Sequence, residues 1–177
     1  MKYLSVHNNI HILLNIMLLL ILTLSVTKAQ PALPPRNIRV NATQALSFGS
    51  FCLGNAGSSG GSVTVDWQGN RSSTGQVFLL PVAPLAHAAV FEISLCQGRA
   101  VTITYPPSVV LTGSNGGSMT MNIGPTEKGV SGSFFMVNND CNFITPLRVG
   151  GTLVVGNNSA NPGGTYTGSF SITFNQE

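Results

Sequence analysis

Between Thr165 and Thr173 every odd position carries a hydroxyl, and the even positions Tyr166, Gly168, Phe170, Ile172 and Phe174 are apolar or glycine. Successive side chains of an extended chain point to opposite sides, so this pattern gives a strand one dry face and one wet face. A helix would scatter the same hydroxyls around its circumference. The N-terminal stretch repeats the device: Ile38, Val40, Ala42, Leu46 and Phe48 share one parity, with Gln44 as the polar exception. Shorter alternating runs follow at Val63/Val65/Trp67, Phe91/Ile93/Leu95, Val101/Ile103/Tyr105, Met119/Met121/Ile123 and Leu147/Val149/Leu153/Val155. Runs 77–80 and 134–137 are apolar on both parities and read as central strands. Glycine-, asparagine- and proline-rich gaps supply the turns, among them Gly113-Ser-Asn-Gly-Gly117 and Asn161-Pro-Gly-Gly164. Nine or ten short strands at this spacing predict an all-β, antiparallel sandwich. The prolines of 81–89 mark that stretch as a loop.

Residues 1–29 stand apart. Lys2 precedes an apolar run that is densest over 16–24, and Thr27 and Ala29 form a small-residue cleavage site. That is the pattern of a signal peptide, and the run is too short and too interrupted by His11 and Asn15 for a membrane anchor to remain after cleavage. Residues 30–36 are a stiff proline-rich leader, and 37–177 form one domain.

Charge narrows the function. Of eight basic residues, Lys2 and Lys28 lie in the leader, and the remaining six face five acids. Arg36, Arg39, Arg71, Arg99, Lys128 and Arg148 are scattered, with no stripe to track phosphates, which argues against nucleic-acid binding. So neutral a surface of Ser, Thr, Asn and Gly suits a protein that assembles, and equally a bland exported domain.

Three cysteines remain beyond the leader, Cys52, Cys96 and Cys141. In an oxidising compartment one disulfide and one free thiol is the default. Loop entropy does not choose, because Cys52–Cys96 and Cys96–Cys141 each enclose a similar span and each stabilises by about 4 kcal/mol. Cys96–Cys141 is favoured because Cys96 ends a strand-like run and Cys141 sits in the polar turn 138–142. Only His87 remains beyond the leader, and no metal-ligand spacing, cofactor motif or activated nucleophile is visible. Asp66 and Glu92 are the one carboxylate pair that adjacent strands would bring together, although the solvent face of a sheet suits both. Glu127 has only Lys128 beside it, and Trp67 reads as core. An enzyme is not expected.

Five stretches resemble the exported bacterial family known as domain-of-unknown-function family 4402. They are Leu46-Ser-Phe-Gly-Ser-Phe-Cys52, Gly60-Gly-Ser-Val-Thr-Val-Asp66, Leu111-Thr-Gly-Ser-Asn-Gly-Gly-Ser-Met-Thr120, Val149-Gly-Gly-Thr-Leu-Val-Val155 and Pro162-Gly-Gly-Thr-Tyr-Thr-Gly-Ser-Phe-Ser-Ile-Thr-Phe174. The family looks related to fimbrial subunits and spore-coat-U-like pilins. The resemblance implies an immunoglobulin-like sandwich, export to the periplasm, outer surface or medium of a Gram-negative bacterium, and no catalytic residues. Cys96 and Cys141 look like additions to the family pattern, which supports pairing them with each other. The leading expectation is a fimbrial or pilin-like subunit that joins other copies by strand addition. Its strand-exchange segment would be Asn37 to Phe48, carrying Ile38, Val40, Ala42, Leu46 and Phe48, although the same stretch also reads as the first strand of its own domain, because Leu46-Ser-Phe-Gly continues directly into the fold. The alternative is a soluble adhesin that binds glycan through loops 54–61 and 113–118.

Overall fold

The computed structural model describes residues 16–17, 38–54, 59–95, 100–138, 140 and 142–176. The chain divides into two compact units, Met1–Pro35 and Arg36–Glu177. Of the first, only the exposed helical pair Ile16 and Met17 is described, so the proposed cleavage site lies outside the described residues. No helix among the described residues is long and apolar enough to cross a membrane.

The second unit is all-β and antiparallel. Its strands are β1 (Ile38–Gln44), β2 (Ser47–Phe48), β3 (Phe51–Leu53), β4 (Gly61–Val65), β5 (Arg71–Gly75), β6 (Val77–Leu79), β7 (Ala86–His87) and β8 (Ala89–Leu95). They continue with β9 (Ala100–Thr104), β10 (Ser108–Gly113), β11 (Ser118–Thr126), β12 (Phe134–Met136), β13 (Thr145–Val155), β14 (Tyr166–Thr167) and β15 (Thr173–Gln176). The main sheet runs β1-β8-β13-β11-β10-β14, with β4 on β13 and β5 on β4. A smaller sheet runs β12-β9-β15, and β2-β7 and β3-β6 form two-stranded ribbons.

The eleven-residue β13 organises the main sheet. Its first half pairs with β8, from Thr145 opposite Ile93 to Val149 opposite Ala89. Its second half pairs with β4, from Gly151 opposite Val65 to Val155 opposite Gly61. β11 runs alongside both halves on the other edge. The handover falls at Gly150, where a Cβ would lie 2.5 Å from the Val65 carbonyl oxygen and 2.9 Å from the Trp67 nitrogen. Only glycine lets β4 and β8 follow one another along a single edge.

The inward residues form one hydrophobic cluster that draws on both sheets. Ile93, Leu95, Leu147, Val149, Val63 and Val65 come from the main sheet, and Val101, Ile103 and Phe135 from the smaller one. On the outward face of the main sheet the side chains are exposed or half-buried. Cross-strand register places Ser108, Asn122, Thr152, Thr64 and Ser72 in one row across five strands. The next row is Val110, Thr120, Val154, Ser62 and Thr74. Hydroxyls on this face bond across strands, Ser62 to Thr74 at 2.8 Å and Thr64 to Thr152 at 2.9 Å.

The expected all-β class holds, but the strands are more numerous and shorter than the expected nine or ten. Fifteen are present among the described residues, because long alternating runs change partners midway. The run 165–174 pairs with β10 only at Thr167 and Tyr166, then with β9 from Thr173 onward. Its hydroxyls are nonetheless all exposed, so the alternation gave the correct facing without giving the ladder. The runs read as central strands are not central. β6 pairs only with β3, β12 lies at the edge of its sheet, and Phe78, Phe134 and Met136 are exposed. Hydrophobicity on both parities marked exposed apolar residues here, not two-sided burial. Residues 81–89, expected to be a loop, contain β7 and the first residue of β8, and only 81–85 and Ala88 lie outside the strands. Trp67 is half-buried in the turn after β4 instead of lying in the core.

Candidate functional site

A cavity of about 1020 Å³ opens between two segments of the second unit. Its floor is core, formed by Leu111, Met119, Met121, Leu153 and Val155 on the inner face of the main sheet. One wall is the arm 42–53 and the other is 161–170. None of the lining side chains carries a formal charge. Packed interiors contain few voids larger than a water molecule, so a space of this size beside core residues sets this region apart.

The arm is clipped to the chain beside it by its own polar side chains. Gln44 donates to the Ala88 carbonyl at 2.7 Å, Ser47 to Leu85 at 2.9 Å and Ser50 to Ala83 at 3.1 Å. Gly49 turns the chain at φ +69, a conformation that suits glycine. The Arg71 guanidinium donates to the carbonyls of Ser50 at 2.5 Å and Leu80 at 3.3 Å. Burial holds its pKa below the ordinary value.

The opposite wall depends on Asn161, 5% exposed. Its Nδ2 donates to the Ser118 carbonyl at 2.6 Å, and its Oδ1 accepts the Gly156 N–H. Tyr166 donates its hydroxyl to the Pro162 carbonyl at 2.7 Å, and Asn115 donates to Gly163 at 2.7 Å. At the far end Phe170 meets Phe91 edge-on, with ring centres 6.3 Å apart. From Gly168 to Ile172 the chain belongs to no ladder, because β14 has left β10 and β15 has not yet joined β9.

The expected strand-exchange residues divide into two groups. β1 pairs antiparallel with β8, Ile38 opposite Leu95 and Val40 opposite Ile93, and both side chains pack against the core. Ala42 keeps that register, opposite Phe91, but is exposed beside the cavity, and the register shifts only between Ala42 and Gln44. Leu46 and Phe48 turn back inward and line the cavity. Cys52 is free and exposed, opposite Phe78. Cys96 and Cys141 lie outside the described residues, as do 55–58 of the first expected glycan loop. The second loop is tied down, with Gly113 N–H on Gly117 and Ser114 N–H on Thr165.

The carboxylates do not form a catalytic pair. Asp66 accepts bonds from the Asn70 backbone and side chain, both at 2.8 Å, within its own hairpin turn. Glu92 stands opposite Asn41 and Pro146. Glu127, expected to have only Lys128 beside it, is paired with Arg148 at 3.1 Å, because β11 and β13 bring them together. No group of three His, Cys, Asp or Glu suited to a metal occurs among the described residues. The sequence reading missed the cavity. Met119 and Met121 were legible as inward residues, but nothing in the sequence distinguishes a cavity floor from packed core. Asn161 read only as a turn residue, and no local signal reveals a buried amide.

An antiparallel all-β domain with an uncharged, core-floored cavity beside its first strands is therefore the unit to be classified. The chain belongs to the family described as Domain of unknown function (DUF4402), whose model matches residues 38–175. No curated protein matches, and no solved structure matches.

Proposed function

We propose that this chain is an exported, non-catalytic structural or adhesive subunit of a bacterial surface, pilin-like in its immunoglobulin-type sandwich, that joins copies by exchanging its N-terminal arm. The observation that carries this reading is the cavity beneath the arm. Residues 42–48 line a space of about 1020 Å³ whose far side is formed by Leu111, Met119 and Met121. An arm bordered by open space has room to leave, and an identical arm from a neighbour regains the core contacts of Ile38, Val40, Leu46 and Phe48 that it gives up. β1 is suited to the exchange, being the end strand of its sheet and pairing only with β8. Gly49 is the natural hinge. Open-ended exchange of this kind builds chains instead of closed pairs.

A lock tests the idea without deleting anything. Asn41 and Glu92 are directly paired across β1 and β8, within disulfide reach. The variant Asn41→Cys/Glu92→Cys, oxidised as monomer, is expected to give no higher-order ladder on gels or fibres by negative-stain microscopy. Reduction is expected to restore assembly. Undiminished assembly by the oxidised, locked protein refutes arm exchange.

A further inference from the structure

The outward face of the main sheet makes a second site, on the opposite side of that sheet from the cavity floor. Strands β10, β11, β13, β4 and β5 present two full rows on it, and no position in those rows is ionisable. Solvent faces of sheets ordinarily carry lysine or glutamate, which keep copies apart and hold water. Here the centre carries methyl groups instead. Val110 is 62% and Val154 45% exposed, and Thr120 lies directly between them in register. The two valines are two strand spacings apart, about 10 Å. Beside this methyl strip stand Asn122 and Thr152 on one side and Ser118 on the other. Among the described residues the side chains of Thr120, Asn122 and Ser118 bond to no other group, so their donors and acceptors face outward.

We infer that this face binds an uncharged, hydroxyl-bearing polysaccharide. A neutral sugar ring is amphipathic in the same sense as the face. Its C–H side rests on the methyls of Val110, Thr120 and Val154, and its hydroxyls exchange hydrogen bonds with Asn122, Thr152 and Ser118. The absence of formal charge from these two rows selects against polyanions and polycations, because a charged polymer would lose hydration here without gaining a counter-charge. The rows run across five strands, further than one ring reaches, and so favour polymer over monosaccharide. The binding strands also supply the cavity floor, so the two sites share one rigid sheet but not one residue face.

The test is co-sedimentation of the full exported chain with microcrystalline cellulose, cross-linked dextran and cross-linked alginate. Retention on at least one uncharged polymer, unchanged by added salt, and none on alginate is expected. Thr120→Glu sets a carboxylate in the middle of the strip and is expected to weaken retention about tenfold, since that charge must be desolvated without a partner. Thr120→Ser is expected to keep most of it. Thr120 is exposed, so both variants are expected to unfold at the parent temperature, and Val154→Lys serves as an independent second variant. No retention on either uncharged polymer overturns the inference, as does equal retention of the glutamate and lysine variants. Self-association abolished by Thr120→Glu, with no polymer bound, also overturns it and assigns the face to a second copy. The Asn41–Glu92 lock joins β1 to β8 and leaves these two rows untouched, so failure here is separate from failure of arm exchange.

Discussion

Replacing Asn161 with alanine removes the brace of the wall at 161–170. The side chain is 5% exposed and bonds three backbone groups, the Ser118 and Ala160 carbonyls and the Gly156 N–H. Stranding a buried donor or acceptor costs about 1–3 kcal/mol each, and partial access of water to the new gap offsets some of it. The expected loss is about 2–4 kcal/mol, a midpoint shift of roughly 6–12 °C for a domain this size. Urea unfolding followed by the single tryptophan, Trp67, measures it. Asn161→Asp separates hydrogen bonding from mere volume. It keeps the acceptor toward Gly156 but points a carboxylate oxygen at the Ser118 carbonyl, which raises the folded-state pKa of that carboxyl. A raised folded pKa means the protonated form is favoured on folding. The aspartate variant therefore recovers stability as pH falls and loses it as pH rises past the unfolded carboxylate value. A loss below about 0.5 kcal/mol for the alanine variant, or a flat pH response for the aspartate, refutes the bracing role.

Three further outcomes follow from the same structure. Gly150→Ala sets a methyl 2.5 Å from the Val65 carbonyl oxygen, a backbone atom that cannot swing aside, and is expected to cost about 2–3 kcal/mol or prevent folding, read by circular dichroism. The bonds from Asn70, its side chain first, hold the Asp66 carboxyl below its ordinary value of 3.8. Because the folded pKa is depressed, this contribution is present above the ordinary value and is lost as pH falls through the folded one, seen as a smaller protection factor (relative to the intrinsic exchange rate at each pH) for the Asn70 amide in acid, a change abolished in Asp66→Ala. The strands that lead to Cys96 and Cys141 are neighbours, with Ile93 opposite Thr145. Non-reducing peptide mapping is therefore expected to recover a Cys96–Cys141 bridge with Cys52 free, and reduction to cost about 4 kcal/mol.

Facing was easier to read from the sequence than pairing. The hydroxyls of 165–173 announced which side of the chain meets water, and all five are exposed. They did not announce that the chain leaves β10 at Gly168 and reaches β9 at Thr173, because alternation constrains side-chain direction and not the neighbour. The N-terminal arm shows the same limit. Ile38 and Val40 face inward as their parity requires, but the register shift near Ala42 is a backbone event with no hydrophobic signature. Phe134 and Met136 misled in the opposite direction, since local hydrophobicity does not say that β12 lies at an edge. The cavity is a tertiary property of segments more than a hundred residues apart, and no window along the chain contains both of its walls.

The placement of β13 sets an order of events during synthesis. β4, β8 and β11 are joined into one sheet only through Thr145–Val155, and that stretch emerges only after most of the chain has been made. Until then the pairs β1–β8, β4–β5 and β10–β11 have each other but no strand that joins them. Pairings of such long sequence separation form slowly. For the exported subunit proposed above, this arrangement would leave the edges that β13 later covers open during passage across a membrane.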